Sequence, residues 1–141
     1  MSKVDGVNEL LAKLSKLENA SDHMGKACLA GALVLESRIK ISMQKSHGGR
    51  RYKRGGKQHV ASAPGQAPAI DYGFLINSIQ STQEQNGASV WTNAEYAPPL
   101  EFGTARMGAR PFMRPGLDNN VAEILKAVEV TARRLIEEAA A

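Results

Sequence analysis

The chain has 141 residues and a mass of 15.1 kDa, the length of one ordinary domain rather than two. With 43% apolar and 23% charged residues it can bury a core without disulfide or metal staples, and wholesale disorder is excluded. The net charge of +4 is local: six of the 18 basic residues (Lys45, Arg50, Arg51, Lys53, Arg54 and Lys57) lie together with no acid among them, leaving 12 basic against 14 acidic residues elsewhere.

The single cysteine, Cys28, excludes an internal disulfide framework and a cysteine-rich zinc site. Apolar runs are only a few residues long, so no membrane-spanning helix is expected. The start, Met1-Ser2-Lys3-Val4-Asp5, lacks the apolar stretch of a secretory signal. The reading is a soluble protein made in the cytoplasm, and one cysteine fits a reducing compartment.

Residues 5–19 read as a helix, because Val7, Leu10, Leu11, Leu14 and Leu17 recur at helical spacing while Lys13, Lys16 and Glu18 take the other face. Asn19-Ala20-Ser21-Asp22 is a candidate break or cap. The pattern resumes with Met24, Cys28, Gly31, Leu35 and Ile39, so one continuous helix or a helix pair is expected. This second stripe is rich in small residues (Ala27, Cys28, Ala30, Gly31, Ala32), which predicts close packing inside the domain or against a neighbouring subunit. Cys28 reads as a small core residue.

Helical periodicity ends after Gln44. Residues 46–70 read as a long loop, Gly- and Arg-rich in its first half and extended over Ala61–Ala69 in its second. Phe74–Ile79 reads as β, and a hairpin over about 76–93 turns at Asn86-Gly87, with positive φ available to that pair. Ala97-Pro98-Pro99 ends the pairing, since proline cannot donate to a ladder. A short third strand is expected near Ala109–Met113. Pro115 suits the first turn of a last helix, which carries Leu117, Val121, Ile124, Leu125, Val128, Ala132 and Leu135 to about Glu138. The fold class is α+β: a small antiparallel sheet against a long N-terminal helix and a C-terminal helix, with a long basic loop, in one domain over 1–141.

Catalytic constellations are scarce. His23, His47 and His59 show no metal-ligand spacing, and Gly48-Gly49 and Gly55-Gly56 lack the Lys-Ser/Thr ending of a phosphate loop. No enzymatic activity, cofactor or metal is expected. A packaging hydrolase or nuclease would have to draw on Glu95, Glu101, Asp118 and distant histidines, a poor set. The six clustered cations, around Tyr52, suit non-specific contact with a nucleic-acid backbone or with an acidic patch of another protein; a solvated loop is the plainer alternative.

The most distinctive stretch is Glu95-Tyr96-Ala97-Pro98-Pro99-Leu100-Glu101-Phe102-Gly103-Thr104, continued by Ala109-Arg110-Pro111-Phe112-Met113-Arg114-Pro115-Gly116-Leu117. It sets aromatic residues among prolines and glycines, which preset the backbone. Tyr96, Phe102 and Phe112 are expected to anchor the fold, with Glu101 and Arg110 as a polar tie. In its pattern of Tyr-Ala-x-x-Leu-Glu-Phe-Gly-Thr followed by Ala-Arg-Pro-Phe-Met-Arg-Pro, the stretch resembles the tail-component family of siphovirus-type tailed bacteriophages, the neck or tail-completion proteins. The upstream block, Ala63-Pro64-Gly65-Gln66-Ala67-Pro68 and then Gly73-x-Leu75-x-x-Ser78-Ile79, resembles the same family, with Tyr72 for the usual threonine; Gly116 replaces an alanine.

The resemblance is strong over 63–117 and covers about 5–138 in layout. It implies a structural virion protein, assembled in the bacterial cytoplasm, that forms a homo-oligomeric ring, six-fold in preference to twelve-fold. Such a ring lies between the head-closure or adaptor protein and the tail terminator or tail tube protein, with genomic DNA passing through it. The resemblance implies an assembly role for Tyr96, Glu101, Phe102, Gly103, Thr104, Arg110, Pro111, Phe112, Arg114 and Pro115. The alternative is a stand-alone, non-specific nucleic-acid-binding protein that uses the 45–57 segment.

Overall fold

The computed structural model describes the backbone of residues 2–140 and the side chains of 6–16 and 19–139. The fold is α+β. Helix α1 (Ser2–Gln44) is followed by strands β1 (Arg51–Arg54) and β2 (Lys57–Val60), helix α2 (Phe74–Ser78), strands β3 (Gln80–Glu84) and β4 (Gly87–Trp91), and helices α3 (Ala97–Phe102), α4 (Met113–Asp118) and α5 (Val121–Ala140). Instead of one sheet there are two separate antiparallel hairpins, β1-β2 and β3-β4.

Helix α1 is continuous through 19–22. Ser21 and Asp22 do not cap a new helix; their side chains turn outward to the β3-β4 turn, Ser21 Oγ donating to Gln85 O at 2.9 Å and Gln83 Nε2 donating to Asp22 at 3.3 Å. The small-residue stripe packs within the chain. A Cβ added at Gly31 would stand 2.6 Å from Val128 Cγ2, and one at Gly25 would stand 2.7 Å from Glu84 O. Both α5 and the β3-β4 hairpin therefore approach the α1 backbone. Of the expected stripe, Gly31 and Ile39 are buried, Cys28 and Leu35 are half-buried, and Met24 is exposed. Cys28 thus lies at the edge of the packed region. Towards the N-terminus α1 outruns its partners: Val7, Leu10, Leu11 and Leu14 are exposed, and Leu17 and Glu18 lie outside the described side chains.

Helix α5 lies antiparallel along α1, fixed by Arg38, which donates to Glu123 through Nε at 2.8 Å and Nη2 at 2.6 Å. Ile124, Val128, Ala132 and Leu135 form its half-buried face, whereas Val121 and Leu125 are exposed. The last helix is also broken in two. Helix α4 ends at Asp118, Asn120 Nδ2 donates back to Gly116 O at 2.8 Å, and the chain restarts as α5. Pro115 sits in the first turn of α4, where its missing N–H is harmless.

Three other expectations are corrected. Phe74–Ser78 is a helical turn entered through Gly73 at φ 82°, not a strand; it places Leu75 and Ile79 inward four residues apart. Strand β3 starts after it, at Gln80. No third strand forms at Ala109–Met113, because the residues ahead of α4 are held by a side-chain cap rather than a ladder (below). The β3-β4 turn closes on Gln85-Asn86, Gly87 already pairs with Glu84, and neither Asn86 nor Gly87 takes positive φ.

The core gathers Ile39 and Met43 of α1, Leu75 and Ile79, Ala97 of α3 and Phe112. Glu36 joins α1 to β3: Lys40 Nζ and Ser81 Oγ donate to its two carboxylate oxygens at 2.5 and 2.6 Å. Burial pushes the Glu36 carboxyl up, but those hydrogen bonds outweigh it and hold it below the ordinary carboxylate value. A lowered folded-state value stabilises the fold above the ordinary carboxylate value and loses that contribution as pH falls through the lowered one. Glu36→Gln should therefore destabilise the protein at neutral pH, with the two urea-unfolding curves converging as pH drops below about 4. Gly31→Leu should lower stability by about 1–3 kcal/mol, measured the same way, because α5 must move away from α1.

Candidate interaction surfaces

The distinctive sequence blocks come together as one clasp. Helix α3 begins with prolines in its first turn and ends at Gly103 (φ 77°, ψ 175°), whose N–H donates to Pro99 O at 2.9 Å. A Cβ there would meet Ala109 N at 2.9 Å and Met107 O at 3.0 Å, so both the conformation and the space require glycine. Thr104 and Met107 pair across the small turn that follows. Arg110 N then donates to Leu100 O at 2.6 Å, returning the chain alongside α3.

This return brings the Glu101 carboxylate to the start of α4. Oε2 accepts the N–H groups of Phe112 (2.8 Å) and Met113 (3.0 Å), and Oε1 accepts that of Arg114 (3.0 Å). These are amides that a helix leaves without internal partners, and the negative charge suits the positive end of the helix. Arg110 is not the partner of Glu101. Its Nε donates to Ser62 O at 3.3 Å, and Gly65 N donates to Ala109 O at 2.8 Å, so 61–66 is tied to 108–110. Ala63–Gln66 turns rather than extends, with Gln66 Oε1 accepting from Gly48 N and Ala63 N. Arg114 pairs with Asp118 at 2.9 Å.

Phe112 is 1% exposed and anchors the core, as expected. Phe102 is 82% exposed and Tyr96 48%, so neither anchors this fold. Phe102 instead stands at an open apolar groove of about 670 Å³, lined by Leu35, Val90, Ala97, Pro98, Met113 and Leu117 among others. Phe74 and Trp91 add further exposed aromatic surface. Pro111 is half-buried and Thr104 exposed. Gly116 is buried against α1, where a Cβ would stand 2.5 Å from Ile39 Cγ1, so an alanine there would force the helices apart.

The basic segment is a built element rather than an open loop. Gly55 (φ 59°) and Gly56 (φ 78°) make a tight turn, and Arg51, Tyr52, Lys53 and Arg54 pair with Val60, His59, Gln58 and Lys57. Gly49 N–Ala61 O and Ala61 N–Arg50 O extend the ladder to its base. Cross-strand partners share a face. One face carries Arg51 and Lys53; the other carries Tyr52, His59, Arg54 and Lys57 and meets Asp71. Arg54 Nη1 donates to Asp71 Oδ2 at 2.8 Å, Tyr52 OH donates to the same oxygen at 3.2 Å, and His59 Nδ1 lies 3.1 Å from Oδ1. Burial and the Asp71 charge raise the Tyr52 phenol above its ordinary value, keeping it a donor. Arg54 also lies 4.8 Å above the Tyr72 ring. Lys45, Arg50, Arg51, Lys53 and Lys57 make no ion pair among the described residues. The Asp71 hub has no local sequence signal, whereas Gly55-Gly56 between two four-residue runs is a readable hairpin signal.

Among the described residues no three of His, Cys, Asp and Glu stand close enough to share a metal ion, and no helix is long and apolar enough to cross a membrane. No family model, no curated protein and no solved structure matches the chain.

Glu101→Ala should destabilise the fold by about 1–3 kcal/mol through three unsatisfied amides, and Phe112→Ala by about 3–5 kcal/mol. Phe102→Ala should stay within about 0.5 kcal/mol of the native chain. Thermal melts of the three variants check this ordering.

Proposed function

We propose that this chain is a structural protein of the head–tail junction of a siphovirus-type tailed bacteriophage, a neck or tail-completion subunit. In this reading it forms a ring in the virion that joins the head-closure or adaptor layer to the tail terminator or tail tube and surrounds the DNA channel. The resemblance favours six copies over twelve, and no catalytic step or cofactor enters. The observation that carries the reading is the clasp over 63–117. The two blocks resembling that family tie to each other through Gly65 and Ala109, and the clasp leaves Tyr96 exposed and turns Phe102 outward beside an apolar groove. Exposed aromatic surface of this kind is suited to subunit contact. The exposed apolar stripe of α1 near its N-terminus supports the same reading.

Light scattering on the eluting protein tests it. The full chain, alone or with its head-closure and tail partners, should form a higher-order species. Phe102→Asp should remove that species while leaving the melt within a few degrees, as expected for an exposed position. A native chain that stays monomeric with those partners present contradicts the proposal. The second reading, a stand-alone non-specific nucleic-acid-binding protein, is favoured by the five basic residues without ion pairs on and beside the β1-β2 hairpin. It requires strong, salt-sensitive binding of duplex DNA by the free monomer, whereas the ring reading expects little.

A further inference from the structure

The β1-β2 hairpin turns at Gly55-Gly56 beside Tyr72, and one acidic residue outside it, Asp71, receives its inner face. Three side chains of that face converge on the Asp71 carboxylate: Arg54, Tyr52 and His59. The contact is incompletely satisfied. One oxygen, Oδ2, takes both Arg54 and Tyr52, while Oδ1 accepts no aligned hydrogen bond although His59 Nδ1 is near. His59 Nε2 is also buried without a partner. Buried polar atoms left in this condition weaken a contact relative to one in which each is paired. The tie is therefore specific enough to dock the hairpin and weak enough to exchange.

The docked face has the composition of a nucleic-acid contact. Arg54 and Lys57 are its cations, and Tyr52 and His59 stack at 5.8 Å between ring centres. A two-stranded ribbon of this width enters the major groove of duplex DNA. Asp71 Oδ2 holds Arg54 Nη1 and the Tyr52 hydroxyl as a phosphate oxygen would, so those two donors cannot serve both at once. We propose that Asp71 is an internal competitor for duplex DNA: the face stays open to solvent, with the Arg54 side chain 59% exposed, but Asp71 offsets its charge and occupies these two donors in the free subunit, and full DNA binding requires them to leave Asp71. The inference rests on the reading that the hairpin meets DNA, and it accounts for weak binding by a free monomer. The apparent affinity is the intrinsic one reduced by the fraction of hairpins released.

The test is a double-mutant cycle on the full chain, read by anisotropy of a labelled 20-base-pair duplex at low salt. Asp71→Asn should tighten binding by about threefold or more. Arg54→Ala should then weaken the Asp71→Asn protein by a similar factor, yet change the native protein by less than about twofold, because it loosens the mask and removes a contact together. Native and Asp71→Asn proteins binding equally overturn the mask and leave the DNA reading standing. No binding by either protein overturns the mask and the stand-alone nucleic-acid-binding reading together. If Asp71→Asn fails to show a native melt, the native background decides. There Lys53→Ala, which removes an unmasked cation, should weaken binding more than Arg54→Ala; equal losses overturn the proposal.

Discussion

The folded clasp depends on the Glu101 carboxylate, which accepts the N–H of Phe112, the cap of α4, and the first two N–H groups of α4. Without it, the sharp entry into α4 would leave those amides turned to a half-buried space with no acceptor. With it, α4 can start directly after Pro111. Phe112 is thereby set inward against Ile39 and Met43, and Gly116 lies flat on α1. The same turn depends on Gly103, whose positive φ and lack of a side chain let 107–110 fold back along α3.

From that point the layout of the surfaces follows. Helix α1 is the spine, touched by α5 at Gly31 and by the β3-β4 hairpin at Gly25, with Arg38–Glu123 and Glu36–Ser81 fixing the two contacts. The clasp packs on α1 through Gly116 and Phe112 and leaves Phe102 exposed at the groove that Leu35 of α1 also lines. The basic hairpin projects from the same end of the helix, after Gln44 and Lys45. Two chemically different surfaces, one aromatic and one cationic, are thus displayed by one small body, which suits a subunit that touches several neighbours.

The two long helices, α1 and α5, were legible in the sequence because apolar and small residues recur at helical spacing over long stretches; the short α2 and α3 were not. The second hairpin was legible within a few residues from Asn86-Gly87. The clasp blocks could be picked out by motif, but the roles inside them could not. An aromatic residue among prolines can be a core anchor or a presented contact; Phe112 is the first and Phe102 the second, and only the turn at Gly103 decides between them. Glu101 with Arg110 nearby invited a polar tie, yet backbone amides at a helix start compete for the same carboxylate and win by position. The first hairpin shows almost no apolar alternation along its strands, so Gly55-Gly56 was its one local signal. Asp71 was hidden because its partners lie 12 to 19 residues away.

Electron cryo-microscopy of an assembled neck tests the proposed ring most directly. The account expects the chain as a closed ring at the head–tail junction, with Phe102 covered by an adjacent subunit and the β1-β2 hairpin facing the central DNA. A neck that lacks the chain, or one in which Phe102 and the hairpin both face bulk solvent on the outside, would contradict it.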